Sequence, residues 1–238
     1  METPLYLSDS YSRTCSARVL AVTEGKFATL DTQLFSPRGG GLASDTGKLV
    51  RKSDGAIFPV LYVVKKEGLV LHELGREGMQ AGDEVTCEID WERRHRLMRS
   101  HTAGHILSAI MFRKNGILIT GNAIDIDKSR FDFSMETFSK EAFQTLIDEA
   151  NAQIARNLDV SVSYLAREEA LKLSGMVKLA GALPPDVKEL RIVKIGDVDE
   201  QADGGVHVKN TGEIGKIVFL SAENKGKTNR RVYFSLEP

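Results

Sequence analysis

Short apolar runs broken by turn residues fill the first ninety positions. Arg18 to Val22, Lys26 to Leu30, Leu61 to Val64, Leu69 to His72 and Glu84 to Ile89 are rich in β-branched and aliphatic side chains and are punctuated by Gly25, Gly68 and Gly82. Runs of that length between glycines predict strands, and their even spacing predicts a small β-barrel over residues 1–90. At Asp90 and Trp91 the apolar period lengthens from two residues to about three and a half, which predicts a helix over Trp91 to Lys114. On that helix Arg94, Leu97, His101, His105 and Ser108 share one face, while Ala103, Ile106, Leu107 and Ile110 lie roughly opposite.

Further along, Ile117 to Phe133 reads as a hairpin, with Ile124, Ile126, Phe131 and Phe133 alternating around Asp127 to Arg130. Phe138, Ala142, Phe143, Leu146, Ile147, Ala150 and Ile154 repeat at three and four, which predicts a second helix whose apolar face is core. Val160, Val162 and Tyr164 predict a strand, Arg167 to Leu173 a short helix, and Leu190 to Ile195 another strand, with a break at Pro184 and Pro185. Ile217 to Leu220 and Val232 to Phe234 flank a basic stretch and predict a terminal hairpin. The expected fold is α+β: an N-terminal small β-barrel (1–90), then a two-layer α+β domain (91–238) with helices on one side of a mainly antiparallel sheet.

Composition narrows the class. With 238 residues, 42% hydrophobic and 27% charged, the chain has the make-up of a soluble protein of one or two domains. A net charge of -1 gives no global attraction to nucleic acid, so any RNA contact must come from local patches. Two cysteines are too few for a disulfide framework, and Met1 to Cys15 contains no apolar leader or membrane span. The expected address is the cytoplasm. No G-x-x-x-x-G-K-[ST] phosphate loop occurs, so direct use of ATP has no support.

The chemistry concentrates at His101-Thr-Ala-Gly-His105. Histidines four apart on a helix stand one turn from each other and can turn toward one point, where zinc is the usual occupant. Zinc needs further ligands from a distant turn, and His207, which follows Gly204 and Gly205, is the natural third. A zincin would carry Glu after its first histidine; Thr102 stands there, which disfavours a metalloprotease.

Two longer strings are more specific. Arg93-Arg-His-Arg-Leu-Met-Arg-Ser-His101-Thr-Ala-Gly-His105 and Gly204-Gly-Val-His207-Val-Lys-Asn-Thr-Gly-Glu-Ile-Gly215 closely resemble the editing domain of alanyl-tRNA synthetases, and most of all its free-standing relatives, the AlaX alanyl-tRNA editing proteins. The resemblance implies a trans-editing deacylase that hydrolyses tRNA(Ala) mischarged with serine or glycine, with one zinc ion per chain and the tRNA acceptor end as partner. The length leaves no room for a complete synthetase. Phe35-Ser-Pro-Arg-Gly39-Gly40-Gly41-Leu-Ala-Ser-Asp45-Thr-Gly47 fits the glycine-rich loop of that family, with Gly41 where Gln is common. The resemblance implies a substrate pocket shaped by Gly39, Gly40, Gly41, Asp45, Gly204 and Gly205.

Relatives usually carry a zinc-binding Cys where this chain has Asp203. Three readings stay open: Asp203 ligates through oxygen or supports the ligands, water completes a three-histidine site, or the site has degenerated into a tRNA-binding module. A metallohydrolase acting on a small molecule is a further alternative. Thr102 and Thr211 are candidates for contacting substrate or activating water, and either can equally serve as a cap. Arg93, Arg94 and Arg99 at the start of the helix, and Lys225, Lys227, Arg230 and Arg231 in the terminal hairpin, are candidate tRNA phosphate contacts.

Overall fold

Buried and exposed side chains alternate along the early strands, as they must when each strand turns one face to a barrel interior. The computed structural model describes residues 3–136, 139–173, 176 and 187–237; Phe138, expected on a helix face, and Pro184 and Pro185, expected at a break, lie outside them. By packing, the chain divides into Met1–Leu97 and Met98–Pro238.

The first unit holds helix α1 (Leu5–Ser8) and strands β1 (Thr14–Thr23), β2 (Phe27–Leu30), β3 (Gly47–Arg51), β4 (Ile57–Lys66), β5 (Leu69–Leu74) and β6 (Glu84–Ile89). The strands close as a barrel in the order β1-β2-β5-β4-β3-β6, with antiparallel neighbours throughout. Val19, Leu30, Leu49, Phe58, Val60, Val63 and Val85 point inward and form its core. The β-barrel expected from the sequence is present. Sequence reading missed β3, whose Gly47, Lys48 and Arg51 dilute the apolar signal of Leu49 and Val50. Gly47 is needed there because a Cβ would run into the Glu88 carbonyl oxygen of the neighbouring strand.

The triple glycine makes a tight turn. Gly40 and Gly41 have φ of 56° and 83°, and the Gly39 and Leu42 backbones exchange hydrogen bonds of 3.2 and 2.8 Å. Positive φ at both central positions marks a type I′ turn, which accepts glycine at no steric cost.

A buried ion pair ties this loop down. Arg94 and Asp45 are both 0% exposed, with Arg94 Nε donating to Asp45 Oδ1 at 2.9 Å. The remaining guanidinium nitrogens donate to the Ser10 and Leu34 carbonyls, each at 2.8 Å, and Asp45 also accepts from the Ser36 amide at 2.6 Å. Arg94 therefore leaves the set of residues able to meet phosphate, and Asp45 is spent inside the first unit. A helix face shared with His101 placed Arg94 outward on paper; a carboxylate 49 residues earlier in the chain draws it in.

The second unit is built on two antiparallel sheets where the pattern suggested one. Helix α2 (Trp91–Asn115) begins in the first unit, where Trp91 packs against the barrel core, and continues into the second. From Ser100 to Met111 every residue of α2 is buried, so the two predicted faces are both interior. Strands β7 (Ile119–Ile124) and β8 (Ser129–Phe133) form the expected hairpin and extend through β13 (Arg230–Glu237) to β12 (Lys216–Asn224) in the order β12-β13-β8-β7. Helix α3 (Lys140–Ile154), capped by the Ser139 hydroxyl, packs Phe143, Leu146, Ile147, Ala150 and Ile154 inward. Strand β9 (Val160–Ala166), the short helix α4 (Arg167–Ala170), β10 (Glu189–Ile195) and β11 (Asp199–Ala202) complete the fold, with sheet order β11-β10-β9.

Two outcomes are expected for the first unit. Asp45→Asn leaves a buried guanidinium uncompensated and lowers unfolding stability by about 3–5 kcal/mol in denaturant melts. His72 is buried inside the barrel, its Nδ1 donating to the Ala28 carbonyl at 3.1 Å, and burial lowers its pKa from 6.5 to about 4 against the pull of that carbonyl. The unfolded chain thus binds the extra proton between those values. The resulting stability is complete above pH 6.5 and drains away as pH falls toward 4, by about 3 kcal/mol, and His72→Phe should flatten that part of the stability–pH curve.

Candidate metal centre

Four side chains of the second unit converge. His101 and His105 come from α2, and Asp203 and His207 from the segment after β11; one ligand atom from each lies within 4.8 Å of all the others. The three imidazoles are buried, with ring centroids 4.3 to 4.9 Å apart. Asp203 reaches all of them, with Oδ1 3.0 Å from His207 Nε2 and Oδ2 3.5 and 3.6 Å from His101 and His105 Nε2.

The other nitrogen of each ring is engaged by the chain. His101 Nδ1 donates to the Val206 carbonyl at 3.2 Å. His105 Nδ1 donates to the Asp199 carboxylate at 3.0 Å, with the Gln201 amide 2.7 Å from the same nitrogen. His207 Nδ1 meets the Thr102 hydroxyl at 3.1 Å; since that hydroxyl donates to the Met98 carbonyl at 2.9 Å, its oxygen accepts from the ring. A hydrogen held on Nδ1 leaves the Nε2 lone pair for the cluster. Three aligned imidazoles and one carboxylate are a donor set that fits zinc or a similar borderline cation.

Charge follows the same plan. Burial raises the cost of a charge on Asp203, yet the surrounding histidines, His101 foremost, hold its pKa well below the usual carboxylate range. Burial first, and then the neighbouring His101 and His105, lower His207 to about 3, so its ring stays neutral. Burial also works against a proton on His105, but Asp199 and Asp203 outweigh it and raise that pKa to about 9. A cation entering the cluster displaces that proton.

Two glycines flanking the site differ. A Cβ on Gly205 would stand 2.5 Å from His101 Cε1 and 2.8 Å from its Nδ1, whereas one on Gly204 would meet nothing within 4 Å. Between the two helix histidines, Gly104 makes room for Phe131 of β8, whose Cζ would lie 2.5 Å from a Cβ there. Arg191 of β10 donates to the Asp203 and Gly205 carbonyls at 2.9 and 3.1 Å and so fixes the turn that carries the carboxylate.

The other candidates spread out. Thr102 is buried beside His207, while the Thr211 hydroxyl donates to the Ile154 carbonyl at 3.0 Å and accepts from the Leu158 amide at 2.8 Å, outside the cluster. Arg93 donates to the Ser44 carbonyl at 2.9 Å within the first unit, and Arg99 to the Ile214 carbonyl at 2.9 Å within the second. Arg231 forms a two-pronged pair with Asp132 at 2.7 and 2.9 Å, and Arg230 donates to Asn224, Gly226, Asn229 and Glu136. Lys225, paired with Glu223 at 2.9 Å, and Lys227 are exposed at the β12–β13 turn. Asp199 and Arg191 went unrecognised in the sequence. The signal was there in Asp199, Gln201 and Asp203, polar groups at every second position of one short strand and its extension.

The description "Threonyl and Alanyl tRNA synthetase second additional domain" belongs to the family model that matches residues 190–233, a stretch that holds Asp199, Asp203 and His207. The alanyl-tRNA editing protein AlaX-M of Methanosarcina barkeri is 46% identical over 241 residues, covering 99% of each chain. AlaX-M of Saccharolobus solfataricus is 44% identical over 239 residues and the full length of both. The alanine–tRNA ligase of Methanothrix thermoacetophila is 36% identical over 234 residues, which cover 97% of this chain and 25% of the ligase. Similar along its whole length to free-standing editing proteins and to one portion of the ligase, the chain belongs to the AlaX-M family of alanyl-tRNA editing proteins.

Proposed function

We propose that the protein hydrolyses the ester of tRNA(Ala) mischarged with serine or glycine, at a single zinc ion held by His101, His105, His207 and Asp203. The observation that carries this reading is the convergence of three buried imidazoles, each with its Nδ1 engaged by the chain, on one half-buried carboxylate. Zinc, when bound, supplies a Lewis acid for ester hydrolysis. The chain's residues hold the ligands: Val206, Thr102 and Asp199 orient the rings, and the Gly205 amide donates to Asp203 at 2.6 Å. Asp203 takes the place of the usual thiolate, since a carboxylate oxygen binds zinc at a similar length.

Editing of this kind answers a physical limit. A synthetase pocket for alanine separates poorly from serine or glycine, which differ by one small group, so accuracy needs a later hydrolytic sieve. Lys225, Lys227 and Arg99 are the proposed phosphate contacts for the acceptor end. Among the described residues no helix is long and apolar enough to cross a membrane, and the proposed location is the cytoplasm, where charged tRNA is used.

The test is amino-acid release from Ser-tRNA(Ala), Gly-tRNA(Ala) and Ala-tRNA(Ala). Hydrolysis of either mischarged species, lost on chelation and restored by zinc, is the expected result; tight tRNA binding with no metal-dependent release would instead mark a binding module. Gly205→Ala should push His101 off its position and lower zinc affinity roughly 10–100-fold, while Gly204→Ala leaves it near wild type. Zinc titration against a competing chelator reads both.

A further inference from the structure

Asp203, Arg191 and Tyr164 form one row across the three-stranded sheet. The Asp203 amide bonds the Arg191 carbonyl at 3.1 Å, and Arg191 stands opposite Tyr164 in the β10–β9 register. Residues directly opposite in an antiparallel pair share a face, and so do residues two apart on one strand. Val193 opposes both Gln201 and Val162, which puts Gln201, Asp203, Arg191, Val193, Val162 and Tyr164 on the same side. Gln201 and Asp203 reach the histidines on that side.

Among the described residues, exposure on this face rises at β9. Arg191 and Val193 are buried, but Val162 is 43% and Tyr164 44% exposed. On the opposite face Leu165 packs with Ala170, Leu190 and Ile192, so the strand's outward apolar pair is not spare core. Two strand spacings separate Tyr164 from Asp203, roughly 10 Å along the row. In an aminoacyl ester of a terminal nucleotide, one ribose separates the reacting carbonyl from the base. An aromatic ring one sugar's reach from the metal cluster is where that base would come to rest.

We propose that Tyr164, flanked by Val162, is the stacking platform for the terminal base of the substrate's 3′ end. It is a positioning and binding residue, remote from the reacting atoms, and every base has a π-face that such a ring can accept. This rests on the deacylase reading above. Phosphates further along the strand are left to other contacts.

The test uses the zinc-loaded full chain and two uncleavable ligands: a CCA trinucleotide carrying a 3′-serylamide, and the same molecule lacking its terminal base. Tyr164→Ala should weaken the first by on the order of tenfold or more and the second by less than about twofold, with Tyr164→Phe close to wild type on both. With seryl-tRNA, Tyr164→Ala should raise KM by a similar factor at unchanged kcat, the mark of lost uniform binding. Equal affinity of wild type and Tyr164→Ala for the base-containing ligand overturns the platform and leaves the deacylase standing. Equal loss on both ligands assigns the ring to the fold and also overturns it. Wild-type protein that hydrolyses no mischarged tRNA and binds neither ligand removes the deacylase reading, and the platform with it.

Discussion

An imidazole offers one nitrogen to a metal only when the other is satisfied, and this protein settles that choice three times within a few ångströms. Val206 contributes a carbonyl, Asp199 a carboxylate and Thr102 a hydroxyl whose own hydrogen is already committed to Met98. Much of the second unit serves these bonds. Strand β11 and the residue after it alternate so that Asp199, Gln201 and Asp203 all face α2, Gly205 admits the His101 ring, and Gly104 lets Phe131 approach the helix between the two histidines. The polar groups would be costly in a dry interior if any were left without a partner.

The first unit solves a related problem with a full charge. Arg94 has its guanidinium divided among Asp45 and two carbonyls, so a cation sits at zero exposure with its donors met. The pairing holds the segment after the glycine turn against the start of α2, and the Ser36 amide on the same carboxylate closes the loop. Such a pair adds little net stability compared with well-packed apolar residues, but losing one partner is expensive, which makes it a device for fixing one loop conformation.

Pattern along the chain carried the elements whose environment is one-sided. The barrel strands, α3 and the β7–β8 hairpin were legible because one face meets core and the other water. The histidine pair and His207 were legible because helical spacing and a glycine turn are local features. What escaped depends on distant partners. Strand β3 is held by two neighbours despite its polar ends, and α2 is buried all round from Ser100, so its faces could not be told apart by polarity. Arg94 looked like part of a basic surface until Asp45 was placed beside it. The change of period at Trp91 marks where the helix starts, whereas packing changes hands between Leu97 and Met98, because the first turns of the helix still belong to the barrel.

The bond from His207 to Thr102 joins residues 105 positions apart in sequence. During synthesis the helical histidines leave the ribosome long before Asp203 and His207 exist, so the nascent chain can offer a cation no more than two rings with unfixed tautomers. Full coordination becomes available only after β10 and β11 have paired and brought their turn onto α2. A cation held there would in this sense report that the C-terminal third has folded, and its binding free energy would be added to the last stage of assembly.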